Sequence, residues 1–132
     1  MVKVLSIKEP FASLIANNIK HIETRSWKTN YRGEIYIHAS LTINSLKGRD
    51  ELKEIVKDIE LKPSFILCKA TLKDCVYMDQ DFLNKIKKDH IEYICGHYEE
   101  GRYAWVLTDI KKIKPISVKG KLGIWNYEKE DL

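Results

Sequence analysis

The chain has 132 residues, a net charge of +4 and 44% apolar content, which suits one hydrophobic core and is too short for two comparable domains, so a single unit over 1–132 is expected. Charged residues make up 32% of it, and no apolar run approaches the roughly 20 residues that cross a bilayer, so a membrane-spanning helix is excluded. The start, "MVKVLSIKEP", lacks both the apolar length and the cleavage pattern of a signal peptide, so a cytoplasmic location is expected.

The elements follow in chain order. "VKVLSI" at 2–7 alternates as a strand does. Pro10 then suits a first helical turn, with Phe11, Leu14 and Ile15 at helical spacing. That helix should stop at Asn17-Asn18, because Asn is the residue that best replaces Gly where a helix closes through a left-handed conformation. "HIETRS" reads as the next strand. The segment 27–33 carries the turn residues Asn30 and Gly33, and "EIYIHAS" alternates again, with Ile35, Ile37 and Ala39 opposite Tyr36, His38 and Ser40. Leu52, Ile55, Val56 and Ile59 predict a second helix, with Asp50 as a cap and Pro63 beyond its end. "SFILCKATLKDCVYM" is a long β-rich run. Asp79 should start a further helix whose stripe is Phe82, Leu83, Ile86 and Ile94, and "RYAWVLTDI" is another strand before the turns at Pro115, Gly120 and Gly123. Strands outnumber helices and the helices fall between them irregularly, so the class is α+β, a mixed β-barrel with helices on its outside.

Chemistry-bearing residues concentrate at 20–32. In an ideal strand His21, Glu23 and Arg25 share one face, with Lys20 at the strand's mouth and Ile22 and Thr24 opposite. Lys20 and Arg25 can donate to a phosphate or carbonyl, and Glu23 can accept from an exocyclic amine. Trp27 and Tyr31 offer flat faces to an unpaired base, and Arg32 adds a cation on the same loop. Without more, Glu23 and Arg25 also read as a surface ion pair worth less than about 1 kcal/mol, with Trp27 packed under the loop.

Other residues read as structural. Trp105 lies in an alternating strand and belongs to a core, and Trp125 is left out of the site with it. His38 and Ser40 share a strand face without an acid to orient them, so His38 reads as a hydrogen-bonded structural residue. Cys68, Cys75 and Cys95 are odd in number and form no C-x-x-C pair, so reduced thiols are expected, and "CGHY" at 95–98 supplies too few ligands for a metal. No metal and no cofactor are expected. The lysines at 85, 87 and 88, like those at 111, 112, 114, 119 and 121, read as solvated faces, and the second group can alternatively extend a phosphate-binding surface.

In order, "LSIKEPFASLI", "NIKHIETRSW", "YRGEIYIHAS", "ATLKDC" and "GRYAWVLTDIKKIKPISVKGKLGIWNY" resemble the ASCH domain family, relatives of the PUA fold. The family signature Gly-x-Lys-x-x-Glu-x-Arg falls on Asn18, Lys20, Glu23 and Arg25, with Asn18 in place of Gly. The resemblance implies a PUA-like β pseudobarrel with peripheral helices and a cleft between the first helix and the barrel. Its implied ligand is RNA or a nucleobase or nucleoside. An enzymatic alternative comes with it, an amidohydrolase acting on N4-acetylcytidine or a ribonuclease. Lys20 matches the lysine of those amidohydrolases, Glu23 stands where they carry a catalytic Thr, and Asp74 lies only in the region of their Glu. In such an enzyme Glu23 would be the base, Lys20 the donor to an oxyanion and Arg25 the group that fixes substrate. A protein-interaction module of coactivator type is a further implied reading.

Overall fold

The computed structural model describes residues 1–128; 129–132, the end of the expected unit, lie outside them. Strand β1 (Val2–Glu9) enters helix α1 (Phe11–Ala16) through Pro10. The first turn of α1 is held by a buried carboxylate, because Glu9 accepts from the Ser13 amide at 2.8 Å and, across the chain, from the Lys62 amide at 3.0 Å. The helix stops where expected. Asn18 has φ 59°, the left-handed conformation that Asn tolerates better than most residues, and its Oδ1 lies 3.0 Å from His21 Nε2.

The short strand β2 (Ile22–Arg25) follows, then β3 (Gly33–Ile43), helix α2 (Asp50–Val56) and the long strand β4 (Phe65–Tyr77). The expected helix from Asp79 to Ile94 is two helices, α3 (Gln80–Ile86) and α4 (His90–Ile94). Asp79 caps the first by accepting from the Phe82 amide, and Asp89 caps the second by accepting from the Glu92 amide. A second capping residue thus divides a stripe that has one apolar periodicity. Strand β5 (Tyr103–Ser117) runs well past the expected stretch, and β6 (Ile124–Tyr127) closes the described chain.

The strands form one six-stranded sheet in the order β2-β5-β4-β3-β1-β6, parallel only between β1 and β3. Its end strands do not pair with each other, so the barrel is open, an α+β pseudobarrel. Register shifts between β4 and β5, one of them beside Asp109 with φ 53°, place extra residues in the ladder; such bulges bend and twist a sheet. The main core lies between the sheet and α1, where Leu5, Ile15, Ile35, Ile37, Leu72 and Trp105 are buried. A second cluster, Leu14 with Leu52 and Cys95, packs α2 and the end of α4 onto α1. Among the described residues no helix is long and apolar enough to cross a membrane.

Asn18→Gly should fold as well as the parent, whereas Asn18→Val should lose about 1–2 kcal/mol, since a β-branched residue resists the left-handed conformation. Urea denaturation of the two variants measures the difference, and equal midpoints would show that the helix stop does not depend on this residue's conformation.

Candidate functional site: a cationic cleft beside the second strand

The strand that carries the charges is short and lies at the sheet's edge, so its position depends on what meets its open side. That partner is α4. The buried Glu92 carboxylate accepts from the His21 amide at 2.9 and 3.0 Å and from the Ile22 amide at 3.1 Å, and His21 Nδ1 lies 3.0 Å from it. On the other side β2 pairs with β5, with Glu23 opposite Trp105 and Arg25 opposite Tyr103. The chain just before Ile22 is therefore held on both sides, and the side chains of Lys20, Glu23 and Arg25 converge.

Lys20 is 1% exposed. Its ammonium donates to Cys95 O at 2.7 Å, stands 3.9 Å from Glu23 Oε1 and 5.5 Å from the centre of the Phe11 ring. Burial lowers its pKa from 10.5; the Glu23 and Glu92 carboxylates pull it upward but do not prevail. Desolvation thus outweighs the upward pull of the neighbouring Glu23 carboxylate. Glu23 is itself buried, with Arg25 Nε 3.2 Å from its Oε2. That contact is an ion pair without a hydrogen bond, so Nε is buried with no hydrogen-bond acceptor among the described residues. Arg25 donates through Nη2 to Ser6 O at 2.8 Å, and its guanidinium lies 5.9 Å from the Trp27 ring centre and 5.8 Å from that of Trp105.

These three side chains line a cleft of about 1170 Å³, larger than the roughly 300–1,000 Å³ usual for small-ligand pockets. Seven cationic side chains line it: Lys8, Lys20, Arg25, Arg49 and Arg102, with Lys119 and Lys121 from the 118–123 loop. Among the described residues that line it, Glu23 is the one carboxylate. Arg49 has no counterpart in the candidates read from sequence. It donates to Ile94 O at 2.6 Å and lies 5.6 Å from the centre of the Phe11 ring, so Phe11 is flanked by two cations. Thr24 also lines the cleft, but its hydroxyl oxygen accepts from the His97 amide at 3.0 Å.

The remaining candidates lie apart from this cluster. Trp27 is 43% exposed, meets Trp105 edge-on at 4.8 Å, and accepts from Trp105 Nε1 through its carbonyl at 3.2 Å; it borders the cleft without lining it. Tyr31 packs against the main core and donates its hydroxyl to Glu34 O. Arg32 donates to the carbonyls of Thr29 and Tyr31 and stands 3.7 Å from Asp74. Both belong to the 27–33 loop and its neighbours rather than to the cleft lining. Trp105 is fully buried. The cysteines are unpaired, burial pushes the Cys68 thiol up to about 12, and burial also raises the Cys95 thiol. Among the described residues no three potential metal ligands cluster.

An open PUA-like pseudobarrel with a buried lysine and its carboxylate in a cationic cleft defines the class of protein. The ASCH domain profile matches residues 5–117, so the chain belongs to the ASCH domain family. It is 33% identical over 85 residues to human activating signal cointegrator 1, an alignment that takes in 58% of this chain and 15% of that protein's length. Two crystal structures of the Zymomonas mobilis ASCH protein, one a tyrosine-to-phenylalanine variant, superpose with a TM-score of 0.60 over 98% of this chain. They are matched over 89% and 91% of their own lengths at 18% identity, and they support the fold alone.

The depressed Lys20 pKa fixes the sign of a stability effect. Between its folded value and 10.5 the unfolded state binds more protons, so the Lys20 contribution to stability rises with pH and levels off above the unfolded value. The melting temperature of the parent relative to Lys20→Met should therefore climb as the pH rises toward the unfolded value of 10.5 and then level off. A difference that stays flat would mean that Lys20 titrates as an exposed lysine does.

Proposed function

We propose that this cleft binds RNA or a modified nucleobase, with Lys20, Glu23 and Arg25 as the recognition group. The observation that carries the reading is Lys20, a buried ammonium whose one hydrogen bond among the described residues is to Cys95 O. An ammonium has three donors, and a buried one with two of them uncommitted is costly unless a ligand completes the set. Glu23 beside it accepts only. The complementary ligand presents an acceptor to Lys20 and an N–H donor to Glu23 side by side, as the amino-bearing edge of a nucleobase does. The excess of cations along the cleft favours a ligand that also carries phosphate, and the cleft is large enough for more than a base. Trp27, beside the rim and cation-stacked with Arg25, is placed to meet a neighbouring base, while Tyr31 and Arg32 would act by shaping the loop that holds it.

Catalysis by the same trio is the alternative. It would use Glu23 as base and Lys20 as donor to a developing oxyanion; the depressed Lys20 pKa favours proton exchange, but Thr24 already accepts a hydrogen bond from the backbone. A protein-binding role would draw on the exposed Leu41 and Leu122 at the cleft, and would tolerate salt.

Single-stranded RNA should bind with a log–log salt slope of about −2, which corresponds to about three phosphate contacts. Lys20→Met and Arg25→Ala should each weaken binding about tenfold or more, as loss of a hydrogen bond to a charged group predicts. Fluorescence anisotropy over a salt series makes the measurement. Affinity that survives both substitutions would place RNA elsewhere, and affinity indifferent to salt would favour the protein partner.

A further inference from the structure

Outside the charged trio, the cleft contains a second constellation, drawn from three strands and a loop. Ser6 on β1 and His38 on β3 are neighbours in the parallel ladder, and both line the cleft. Ser6 Oγ lies 3.2 Å from His38 Nδ1, His38 Nε2 lies 2.7 Å from Val118 O, and Trp125 Nε1 donates to Ser6 Oγ at 2.9 Å. The direction of each bond follows from the groups. A carbonyl oxygen only accepts, so Nε2 carries the proton of the neutral ring and Nδ1 is left with its lone pair. The Ser6 hydroxyl therefore donates to Nδ1. The imidazole is 1% exposed and meets Trp125 edge-on at 5.7 Å, which leaves it little room to turn.

This is the order of parts in a Ser-His-Asp triad: a hydroxyl, a base within hydrogen-bond reach, and a third group that fixes the base's tautomer and orientation. Here a backbone carbonyl takes the third place. The indole N–H has a further consequence, because a donor aimed at Oγ stabilises the alkoxide as it develops. Ser6 is partly exposed, whereas the base behind it is sealed. The loop that supplies Val118 approaches closely through Gly120: a Cβ there would lie 2.7 Å from His38 Nδ1 and 2.9 Å from Ser6 Oγ. A side chain at 120 would fill the space next to the pair. Arg25, bonded to Ser6 O at 2.8 Å, brings a guanidinium to the same residue.

We propose that Ser6 is an activated nucleophile, with His38 as its base and Val118 O as the orienting acceptor, and that it transfers the acyl group of carboxylic esters whose remaining part is anionic. Ser6 Oγ attacks the ester carbonyl carbon and its proton passes to His38 Nδ1. The tetrahedral adduct collapses with cleavage of the bond to the alkoxy oxygen, which leaves with that proton as an alcohol. A water then attacks the acyl-serine, giving a proton to Nδ1; the acid departs and the proton returns to Oγ. The net change is ester and water to acid and alcohol, with no redox partner. The cationic lining sets the preference for an anionic substrate.

The test uses the full chain and a fluorophosphonate, from which an activated serine displaces fluoride to leave a stable phosphonyl adduct. Mass spectrometry of the folded parent should place one adduct on Ser6. His38→Gln should slow labelling by about 10²- to 10⁴-fold, the usual contribution of a general base, and Gly120→Ala should block it. Should His38→Gln fail to fold, the parent alone decides, since site mapping needs no variant. No adduct on the folded parent, an adduct only at other residues, or labelling of Ser6 at an undiminished rate in His38→Gln would each overturn the assignment.

Discussion

The site depends on one buried carboxylate. Glu92, 4% exposed, receives the amides of His21 and Ile22 at the open side of an edge strand only four residues long. Those amides would otherwise lie unpaired beside a helix end, at a cost of about 1–3 kcal/mol each. By binding them, Glu92 fixes the backbone between Lys20 and Glu23, and the capping residue Asp89 in turn fixes the turn of α4 from which Glu92 projects. The carbonyl of Cys95, at the end of the same helix, receives the Lys20 ammonium. One five-residue helix thus sets both the strand and the lysine it carries.

Electrostatically the cleft is unbalanced. A buried lysine beside one carboxylate could be a neutral structural pair, but Arg25 also claims Glu23, and Arg49 stands across Phe11. Desolvation prevails at Lys20 because the carboxylate at 3.9 Å is too far to give the ammonium a hydrogen bond. A fold maintained for stability alone would replace such a group with an apolar one of similar volume, which is often neutral or stabilising. Its presence under a cationic cleft is consistent with a ligand that supplies the missing acceptor.

What the sequence reveals and what it conceals follow chain separation. Asn18, the alternation through Glu23 and Arg25, and the Asp79 cap are local features, and each has a local physical cause that can be read in a few residues. Contacts between distant segments have none. Glu92 meets His21 from 71 positions away, Lys20 meets Cys95 O from 75, and His38 meets Val118 O from 80. Ser40 shares a face with His38 and so is the visible partner in sequence, whereas the hydroxyl that reaches its ring belongs to Ser6 on another strand. The single apolar stripe from Phe82 to Ile94 hides a second cap because periodicity is insensitive to a short break. Tyr31 and Arg32 show the reverse effect: they stand beside the charged strand in sequence, but their polar groups are engaged by Glu34, Thr29 and Asp74.

The central claim is that the Lys20 ammonium is an incomplete hydrogen-bonding group awaiting an acceptor from a ligand. Nitrogen-15 NMR of the lysine side chains, with and without a short single-stranded RNA, observes that ammonium directly. The account predicts a Lys20 resonance that titrates below an ordinary lysine in the free protein and shifts upward in pKa when RNA is added, as an anionic or carbonyl acceptor completes its bonds. A Lys20 resonance unmoved by RNA while those of other lysines shift would contradict it.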